Sequence, residues 1–328
     1  MYVKIIASFV SQVFFREMPN FGYKRSNKFK KRSNWHGKMP QCEFLSLLIV
    51  IIFGVHFLSR RPVKMRDILF FSVPKCSLEA SEREDRAVRS WMGCTNCQVL
   101  LFGDRKSLCR THNCRKVNTA PIPELSETGV PIISSFFQRA HEMGNDDTVY
   151  VYINADIILP KNFADSLFQS LELISWPKKY LFVGERTEVN ISWNRSCIFS
   201  DCPWNQIWSR ESSGMWAIDY FVHSKDTWTE VPRFLLGRYA WDNWLLHSAI
   251  FRNDVETLDL SAVVSALHPR HGYPHFRPAD VDGEIAYNRI LAGNEWQGGN
   301  LRNINKVIQQ CGSRLCVGNR FSDSHTHP

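Results

Sequence analysis

Outside its N-terminal segment, the sequence lacks a net charge. Residues 1–42 hold nine of the 40 Lys and Arg residues and one of the 32 acidic residues, which leaves 31 of each sign in residues 43–328. A neutral domain has no basic field to hold a phosphate backbone, so we expect no nucleic-acid partner. Because 44% of the residues are hydrophobic, the chain is also too apolar to be disordered throughout.

The sequence also lacks an apolar run of about 20 residues, the length of a typical membrane-spanning helix. Its most apolar segment, residues 44–59, follows the basic N-terminal residues, and Arg60 and Arg61 stand where a small-residue cleavage site would be. A basic flank favours the cytoplasmic side of a membrane. The pattern therefore predicts a short signal-anchor helix at 44–59.

This anchor sets the expected organisation of the chain. Residues 1–43 would be a cytoplasmic tail, 60–66 a short stem and 67–293 a luminal domain, followed by a tail at 294–328. Short anchors suit the thinner early secretory membranes, so we expect a single-pass type II protein of the Golgi or endoplasmic reticulum. A cleaved signal peptide and a buried core helix are the alternatives for 44–59, and Met39 is an alternative start to Met1.

The ten cysteines fall largely into close pairs. Three pairs have the spacing C-x4-C and one has C-x2-C: 109/114, 197/202, 311/316 and 94/97. Close pairs beyond a membrane anchor favour disulfides in an oxidising lumen. The alternative is a zinc site, because four cysteines and a histidine lie within a short segment: Cys94, Cys97, Cys109, His112 and Cys114. Asn190 and Asn194 begin N-glycosylation sequons, which weakly support a luminal location.

Short apolar runs alternate with segments of helical pattern after the anchor. The runs predict strands at 67–73, 98–102, 148–153 and 180–183. A capping box of Ser81 and Glu84 predicts a helix at 81–92, amphipathic spacing predicts one at 130–143, and a proline near the first turn predicts one at 160–173. Farther along, we expect a helix at 241–251 and a strand at 263–267. This alternation is typical of an α/β fold with a mostly parallel sheet and helices on both faces.

One acid interrupts the apolar segment VYVYINADIIL at 149–159. Asp156 follows the predicted strand, and Asn154 lies two residues before it. Ligands of open α/β sheets bind beyond the carboxyl ends of the strands, and Mg²⁺ or Mn²⁺ takes oxygen ligands of this kind together with substrate phosphates. The alternative is a turn or cap residue.

Two more segments carry candidate site residues. In GRYAWDNWLLH, Asp242 and Asn243 lie between Trp241 and Trp244, which suggests a general base beside an aromatic platform for a sugar; the alternative is an N-cap among core aromatics. HPRHGYPH holds three histidines, which are either metal ligands or surface residues: His268, His271 and His275.

Taken together, six blocks in order resemble uncharacterised GT-A-type glycosyltransferases of the nucleotide-diphospho-sugar transferase superfamily. The blocks span about residues 66–275 and are TGVPIISSFF (128–137), YVYINADIIL (150–159), YLFVGER (180–186), AIDYFV (217–222), GRYAWDNWLL (237–246) and ALHPRHGY (266–273). The resemblance implies a Rossmann-like GT-A fold, Mn²⁺ or Mg²⁺ as cofactor, and transfer from a nucleotide-sugar donor to a glycan, protein or lipid acceptor.

The resemblance also implies a metal site. Asn154-Ala155-Asp156 occupies the place of the family's D-x-D motif, so Asp156 would contact metal and diphosphate and Asn154 would assist. His268 or His271 resembles the histidine that completes this site. The sequence departs from the family at Asn154, which replaces the first aspartate, and in the residues around the histidines, Pro269, Arg270 and Gly272.

On the acceptor side, Asp242 resembles the base of inverting family members, and Asp219 lies in the block that lines the acceptor pocket. Trp241, Asn243 and Trp244 are the other predicted substrate contacts. A catalytically inactive sugar- or nucleotide-binding module is the alternative function. A nucleotidyltransferase ranks lower, because the loop after the first strand, SVPKCSLEASERED, has no glycine with which to cradle a phosphate.

Overall fold

The computed structural model describes residues 66–75, 81–103, 117–174, 179–191, 207–271 and 278–321. The expected tail and anchor, almost all of the stem, Asn194, His275 and six of the cysteines lie outside these ranges. Within the described ranges, no helix has both the length and the apolar character needed to cross a bilayer.

The described residues form eleven strands and five α-helices. The strands are β1 (Ile68–Ser72), β2 (Cys97–Phe102), β3 (Val117–Ala120), β4 (Val149–Ile153), β5 (Lys179–Ile191), β6 (Ile207–Ser212), β7 (Ile218–His223), β8 (Val255–Asp259), β9 (Ala266–Pro269), β10 (Lys306–Cys311) and β11 (Arg314–Asn319). The helices are α1 (Ser81–Trp91), α2 (Ile133–Met143), α3 (Phe163–Glu172), α4 (Trp241–Ile250) and α5 (Pro278–Ala292). Two 3-10 helices span Glu295–Gly298 and Leu301–Asn303.

The strands form one mixed sheet in the order β11-β10-β8-β5-β7-β4-β1-β2-β3, with β6 and β9 paired to β5. Strands β4, β1, β2 and β3 are parallel to one another, as are β5, β8 and β10. Strand β7 lies antiparallel between β4 and β5 and joins these two groups. The predicted α/β class is confirmed, with antiparallel pairings added at β6, β7 and β11.

Helices cover both faces of the sheet. Since successive side chains of a strand point in opposite directions, neighbouring residues of a buried strand belong to different cores. Phe70 packs in one core together with residues of α1 and α3. Its neighbour Phe71 packs in the other core with α2 and α4. Both cores need apolar strand residues at every position, which is why the strands read as continuous apolar runs.

The sheet continues past residue 293, where the sequence analysis ended the domain. Lys306 of β10 pairs with Leu258 of β8, and β11 returns beside β10. A disulfide between Cys311 and Cys316 closes this hairpin, and a second joins Cys94 to Cys97. The disulfide prediction is thus confirmed for two pairs, and their thiols are not available to zinc.

The strand predicted at 263–267 lies farther along the chain in the structure. The backbone N–H groups of Val263 and Val264 both donate to the Leu260 carbonyl, at 2.9 Å, and form a turn. Strand β9 therefore begins only at Ala266 and ends at Pro269. This shift places His268 inside the strand rather than after it.

Candidate active site

A turn at the carboxyl end of β4 holds Asp156. The Ile157 N–H donates to the Asn154 carbonyl at 3.1 Å, and Ile158 exchanges two backbone hydrogen bonds of 2.9 Å with Leu267 of β9. The apolar residues that follow the acid are buried in the core below α1 and α3. The chain is therefore fixed on both sides of Asp156, and its carboxylate lies next to β9.

Two histidines from β9 and the residues after it meet this carboxylate. His271 Nε2 lies 3.1 Å and His268 Nε2 3.5 Å from Asp156 Oδ2. The three side chains are 14% exposed or less. Their ligand atoms all lie within 4.8 Å of one another, so they form a possible metal site. The structure thus brings together three of the predicted metal ligands.

Glu188 fixes the orientation of His268. These residues face each other in the register of β5 and β9, and Glu188 Oε2 lies 3.0 Å from His268 Nδ1. The other imidazole nitrogen is thereby directed at Asp156. Burial by itself lowers the pKa of His268, but hydrogen bonds to Asp156 and Glu188 raise it to about 9.

The same contacts act on the two carboxylates. Burial favours the protonated form of Asp156, but its hydrogen bonds with His268 and His271 hold its pKa well below the usual range. Burial opposes ionisation of Glu188 as well, yet His268 and Arg186 lower its pKa. Both carboxylates are therefore ionised at neutral pH.

Asn154 has a different set of partners from Asp156. Its side-chain Nδ2 donates to Asp219 Oδ1, its backbone N–H donates to the Asp219 carbonyl at 2.9 Å, and its Oδ1 accepts from the Tyr152 hydroxyl at 3.2 Å. Arg186 Nη1 binds the other Asp219 oxygen at 2.8 Å. The amide of Asn154, which was predicted to assist a metal, is thus hydrogen-bonded to Asp219 and Tyr152.

Arg186 links the two halves of the site. Besides Asp219, it binds Glu188 with Nε at 3.0 Å. Arg186, Glu188 and Tyr152 were not among the predicted site residues. A signal was present, since Arg186 and Glu188 alternate in a segment that follows the apolar and aromatic residues 180–183.

Asp242 lies in the first turn of α4 and is partly exposed. Burial, followed by the nearby Asp219 carboxylate, raises its pKa to about 7. The residue before the helix, Ala240, has a left-handed φ of 81°, which costs a non-glycine residue about 1–2 kcal/mol. Such a strained backbone position is common where a side chain is held for function.

Three carboxylates converge on the Tyr152 hydroxyl. Burial raises the pKa of Tyr152 well above its usual range, and the charges of Asp219, Asp156 and Asp242 add to this shift. The three acids therefore lie near one another at the carboxyl edge of β4.

The residues around Asp242 are used for packing. Trp241 is 6% exposed, and its ring contacts Tyr152 and Phe221 at centroid distances of 5.4 and 5.9 Å. The Asn243 side chain is buried and donates to the Gly299 carbonyl at 2.7 Å. Trp244 is partly buried against Phe234, with centroids 5.5 Å apart. Trp241 and Asn243, which were predicted to contact substrate, thus have side chains that pack within the core.

No known family profile matches the chain, and no curated protein matches it. Three remotely similar solved structures are those of a glucosyl-3-phosphoglycerate synthase, a mannosyltransferase and a cytidylyltransferase. Glucosyl-3-phosphoglycerate synthase from Mycobacterium tuberculosis is 15% identical, with a TM-score of 0.39 over 77% of this chain and 87% of that one. Mannosyltransferase PcManGT from Pyrobaculum calidifontis is 10% identical, with a TM-score of 0.35 over 71% and 69%. The 2-C-methyl-D-erythritol 4-phosphate cytidylyltransferase from Francisella tularensis is 7% identical, with a TM-score of 0.32 over 68% and 99%.

Proposed function

We propose that the protein is a glycosyltransferase that moves a sugar from a nucleotide-diphosphate sugar to an acceptor hydroxyl with help from a divalent metal ion. The observation that supports this most is the buried group of Asp156, His268 and His271 at the carboxyl end of β4. The sequence blocks that resemble GT-A enzymes place the donor diphosphate at this same end.

The donor set fits a divalent cation. One ionised carboxylate and two imidazoles converge within 4.8 Å, and Glu188 holds one of the imidazoles from behind. Carboxylates suit Mg²⁺ and Mn²⁺, whereas imidazole suits later transition metals, so this mixed set favours Mn²⁺ over Mg²⁺. When bound there, the metal would stabilise the negative charge on a departing diphosphate.

Asp242 is the proposed general base. A base works best when its pKa lies near the operating pH, and the pKa of Asp242 is about 7. In an inverting transfer the acceptor oxygen bonds to the anomeric carbon while the bond to the diphosphate breaks, and Asp242 accepts the hydroxyl proton. Asp219 is less suited to this role because Arg186 and Asn154 bind both of its oxygens.

The cellular placement is part of the same proposal. We retain a type II protein anchored by residues 44–59 in the Golgi or endoplasmic reticulum membrane. The disulfides Cys94–Cys97 and Cys311–Cys316 support an oxidising compartment for the domain.

The test is donor turnover by the full chain. A panel of nucleotide sugars with Mn²⁺ is assayed for release of nucleoside diphosphate, with and without mixed glycan, protein and lipid acceptors. We expect one donor to be turned over and Asp156→Ala and Asp242→Asn each to reduce the rate by about 100-fold or more. Asp165→Asn, an exposed aspartate of α3, is the control and should leave the rate unchanged.

The second candidate is a binding module without turnover. It is favoured by Asn154, whose amide is held by Asp219 and so leaves a single carboxylate among the three clustered metal-site residues. Mn²⁺-dependent binding of a nucleotide sugar, with no hydrolysis or transfer of any donor, would establish this function instead.

A further inference from the structure

We propose that Trp216 and Trp296 form the platform that binds a carbohydrate acceptor, an inference that rests on the proposed function. Their ring centroids lie 6.4 Å apart with the ring planes inclined by 56°. Trp216 is 41% exposed, and Trp296 is partly buried against the core beside α4. Neither residue belongs to the metal group or to the Asp219 network.

Trp216 lies at the reacting edge of the sheet. It precedes β7, which runs antiparallel to β4, so the start of β7 and the end of β4 meet at one edge. Tyr220 of β7 pairs with Ile153, the last residue of β4. Trp216 therefore lies beyond the same edge as Asn154 and Asp156, three residues before Asp219.

Trp296 reaches this edge through α4. It belongs to the 3-10 helix Glu295–Gly298, and its carbonyl accepts from the Gly299 N–H at 3.0 Å. The Gly299 carbonyl in turn accepts from the side chain of Asn243, the neighbour of Asp242. A side chain on Gly299 would collide with the Asn243 carbonyl, so this close contact requires glycine. Trp296 is thus fixed to the helical turn that presents the proposed base.

The backbone around Trp216 is held although its ring is exposed. The Gly214 N–H donates to Glu185 Oε1 at 2.8 Å, the Met215 carbonyl accepts from Leu301 N–H at 3.0 Å, and the Ala217 carbonyl accepts from Arg186 N–H at 3.2 Å. An exposed aromatic ring on a fixed backbone loses little conformational entropy when a ligand covers it.

Trp296 and the neighbour of Trp216, Met215, pack on the opposite face of the sheet from the residues that flank the metal group. Ile157 and Leu267, which flank the metal group, pack in the core below α1 and α3, whereas Met215 and Trp296 pack in the core below α4. A donor held at Asp156 and an acceptor held at Trp216 would therefore approach Asp242 from two sides. This arrangement assigns the platform to the acceptor rather than to the donor nucleotide.

The chemistry of the surface fits a sugar ring. One face of a pyranose presents C–H groups that pack on an aromatic ring, while its hydroxyls stay in water or meet polar side chains. Binding sites for small polar ligands combine aromatic surfaces with a few placed polar groups, and Asp242 supplies such a group here. The exposed indole of Trp216, tilted against the partly buried Trp296, provides the apolar surface.

The test is glycan binding by the full chain on a glycan array, with affinities of retained glycans measured by titration. We expect wild type to retain a glycan, Trp216→Ala to weaken its binding by about tenfold or more, and Trp216→Phe to weaken it less. Phe321→Ala removes a 62% exposed ring just beyond β11 and is the matched control, with binding unchanged. Binding of Mn²⁺ and nucleotide sugar should be unaffected in every variant.

Three results would overturn the platform. The first is that wild type retains no glycan on the array. The second is that Trp216→Ala binds the glycan with unchanged affinity. The third is that Trp216→Ala loses nucleotide-sugar binding, which would assign the surface to the donor instead. Failure of the proposed function is a separate outcome: glycan binding that depends on Trp216 would then coexist with an absence of donor turnover.

Discussion

The side-chain amide of Asn154 donates a hydrogen bond to the carboxylate of Asp219, whose second oxygen is bound by Arg186. An aspartate at position 154 would place two carboxylates in contact, with a single arginine beside them. The amide is therefore the residue type that this pairing requires, although it departs from the acidic motif of the family that the sequence resembles.

Asn154→Asp should consequently destabilise the protein. Like charges at this distance disfavour ionisation of both groups, and the donor to Asp219 is lost, so we expect the free energy of unfolding to fall by about 1–3 kcal/mol at pH 7.5. The exchanged double variant Asn154→Asp/Asp219→Asn restores one amide and one carboxylate and should recover much of this loss. Urea denaturation of wild type, Asn154→Asp, Asp219→Asn and the double variant completes the cycle. Unchanged stability together with tighter Mn²⁺ binding in Asn154→Asp would show that position 154 is a metal ligand after all.

A second prediction concerns Glu188, which binds the Nδ1 side of His268. A partner behind a metal-binding imidazole fixes its orientation and raises its basicity, and its loss typically weakens metal binding by about 10–100-fold. We expect Glu188→Ala to weaken Mn²⁺ binding to this extent in a calorimetric titration of the full chain.

Glu142→Ala is the matched control for that experiment. Glu142 also pairs with an arginine, Arg139, at 2.9 Å, but both side chains are 50% exposed on α2, which contributes no residue to the metal group. Its substitution should leave Mn²⁺ affinity unchanged. Equal affinities in Glu188→Ala and wild type would remove the metal group from the proposal.

The third prediction is a conflict between stability and activity at Asp242. Its pKa rises from the usual 3.8 to about 7 on folding, so the folded state binds a proton more tightly than the unfolded state does. The stabilisation that protonated Asp242 contributes is therefore fully present below pH 3.8 and is lost as the pH rises through about 7. Asp242→Asn should increase the free energy of unfolding at pH 8 by on the order of 1–2 kcal/mol while abolishing transfer.

The same ionisation should appear in catalysis. A general base acts in its ionised form, so the transfer rate of wild type should rise with pH through about 7. Thermal denaturation of wild type and Asp242→Asn at pH 5 and pH 8 measures the change in stability. Initial rates of transfer over the same pH range measure the ionisation of the base. Full activity in Asp242→Asn would assign the base to another residue.

Much of the fold follows from local pattern. Apolar runs predicted β1, β2 and β4, and amphipathic spacing predicted α2, because these elements are buried on one or both sides. A capping box predicted α1 and a proline near the first turn predicted α3. Strand β5 was predicted to end at 183 but extends to Ile191. The prediction stopped short because the second half of the strand lines the candidate site and carries polar residues. A strand that lines a site loses the apolar pattern by which strands are recognised.

The site was predictable only in part. Asp156 was identified because a charge at the end of a buried strand is conspicuous. Trp241 was expected to face a sugar, but the orientation of an aromatic residue in a helical first turn depends on tertiary packing, and its ring contacts Tyr152. The exposed Trp216 carried no local signal, since its position depends on the pairing of β7 with β4.

The last prediction concerns a buried pair of histidines at the other end of β7. The ring centroids of His141 and His223 are 5.4 Å apart, and within the described residues the Nε2 atoms of both lack a hydrogen-bond partner. Burial lowers the pKa of His141 to about 4, with Lys225 adding to the effect and Asp226 opposing it. Burial and then His141 hold the pKa of His223 well below 6.5.

Both imidazoles are therefore neutral when folded and charged when unfolded at mildly acidic pH. Because the unfolded state binds more protons there, stability is lost as the pH falls below about 6.5, by on the order of 2 kcal/mol per histidine at pH 5. His223→Phe keeps a ring stacked on Tyr150, and the Ser224 carbonyl keeps its bond from Thr227. This variant should lose about half of the acid sensitivity in urea denaturation at pH 5 and 7.5. His247→Gln, outside the cluster, should behave as wild type, and an unchanged pH dependence in His223→Phe would show that other groups set the acid limit.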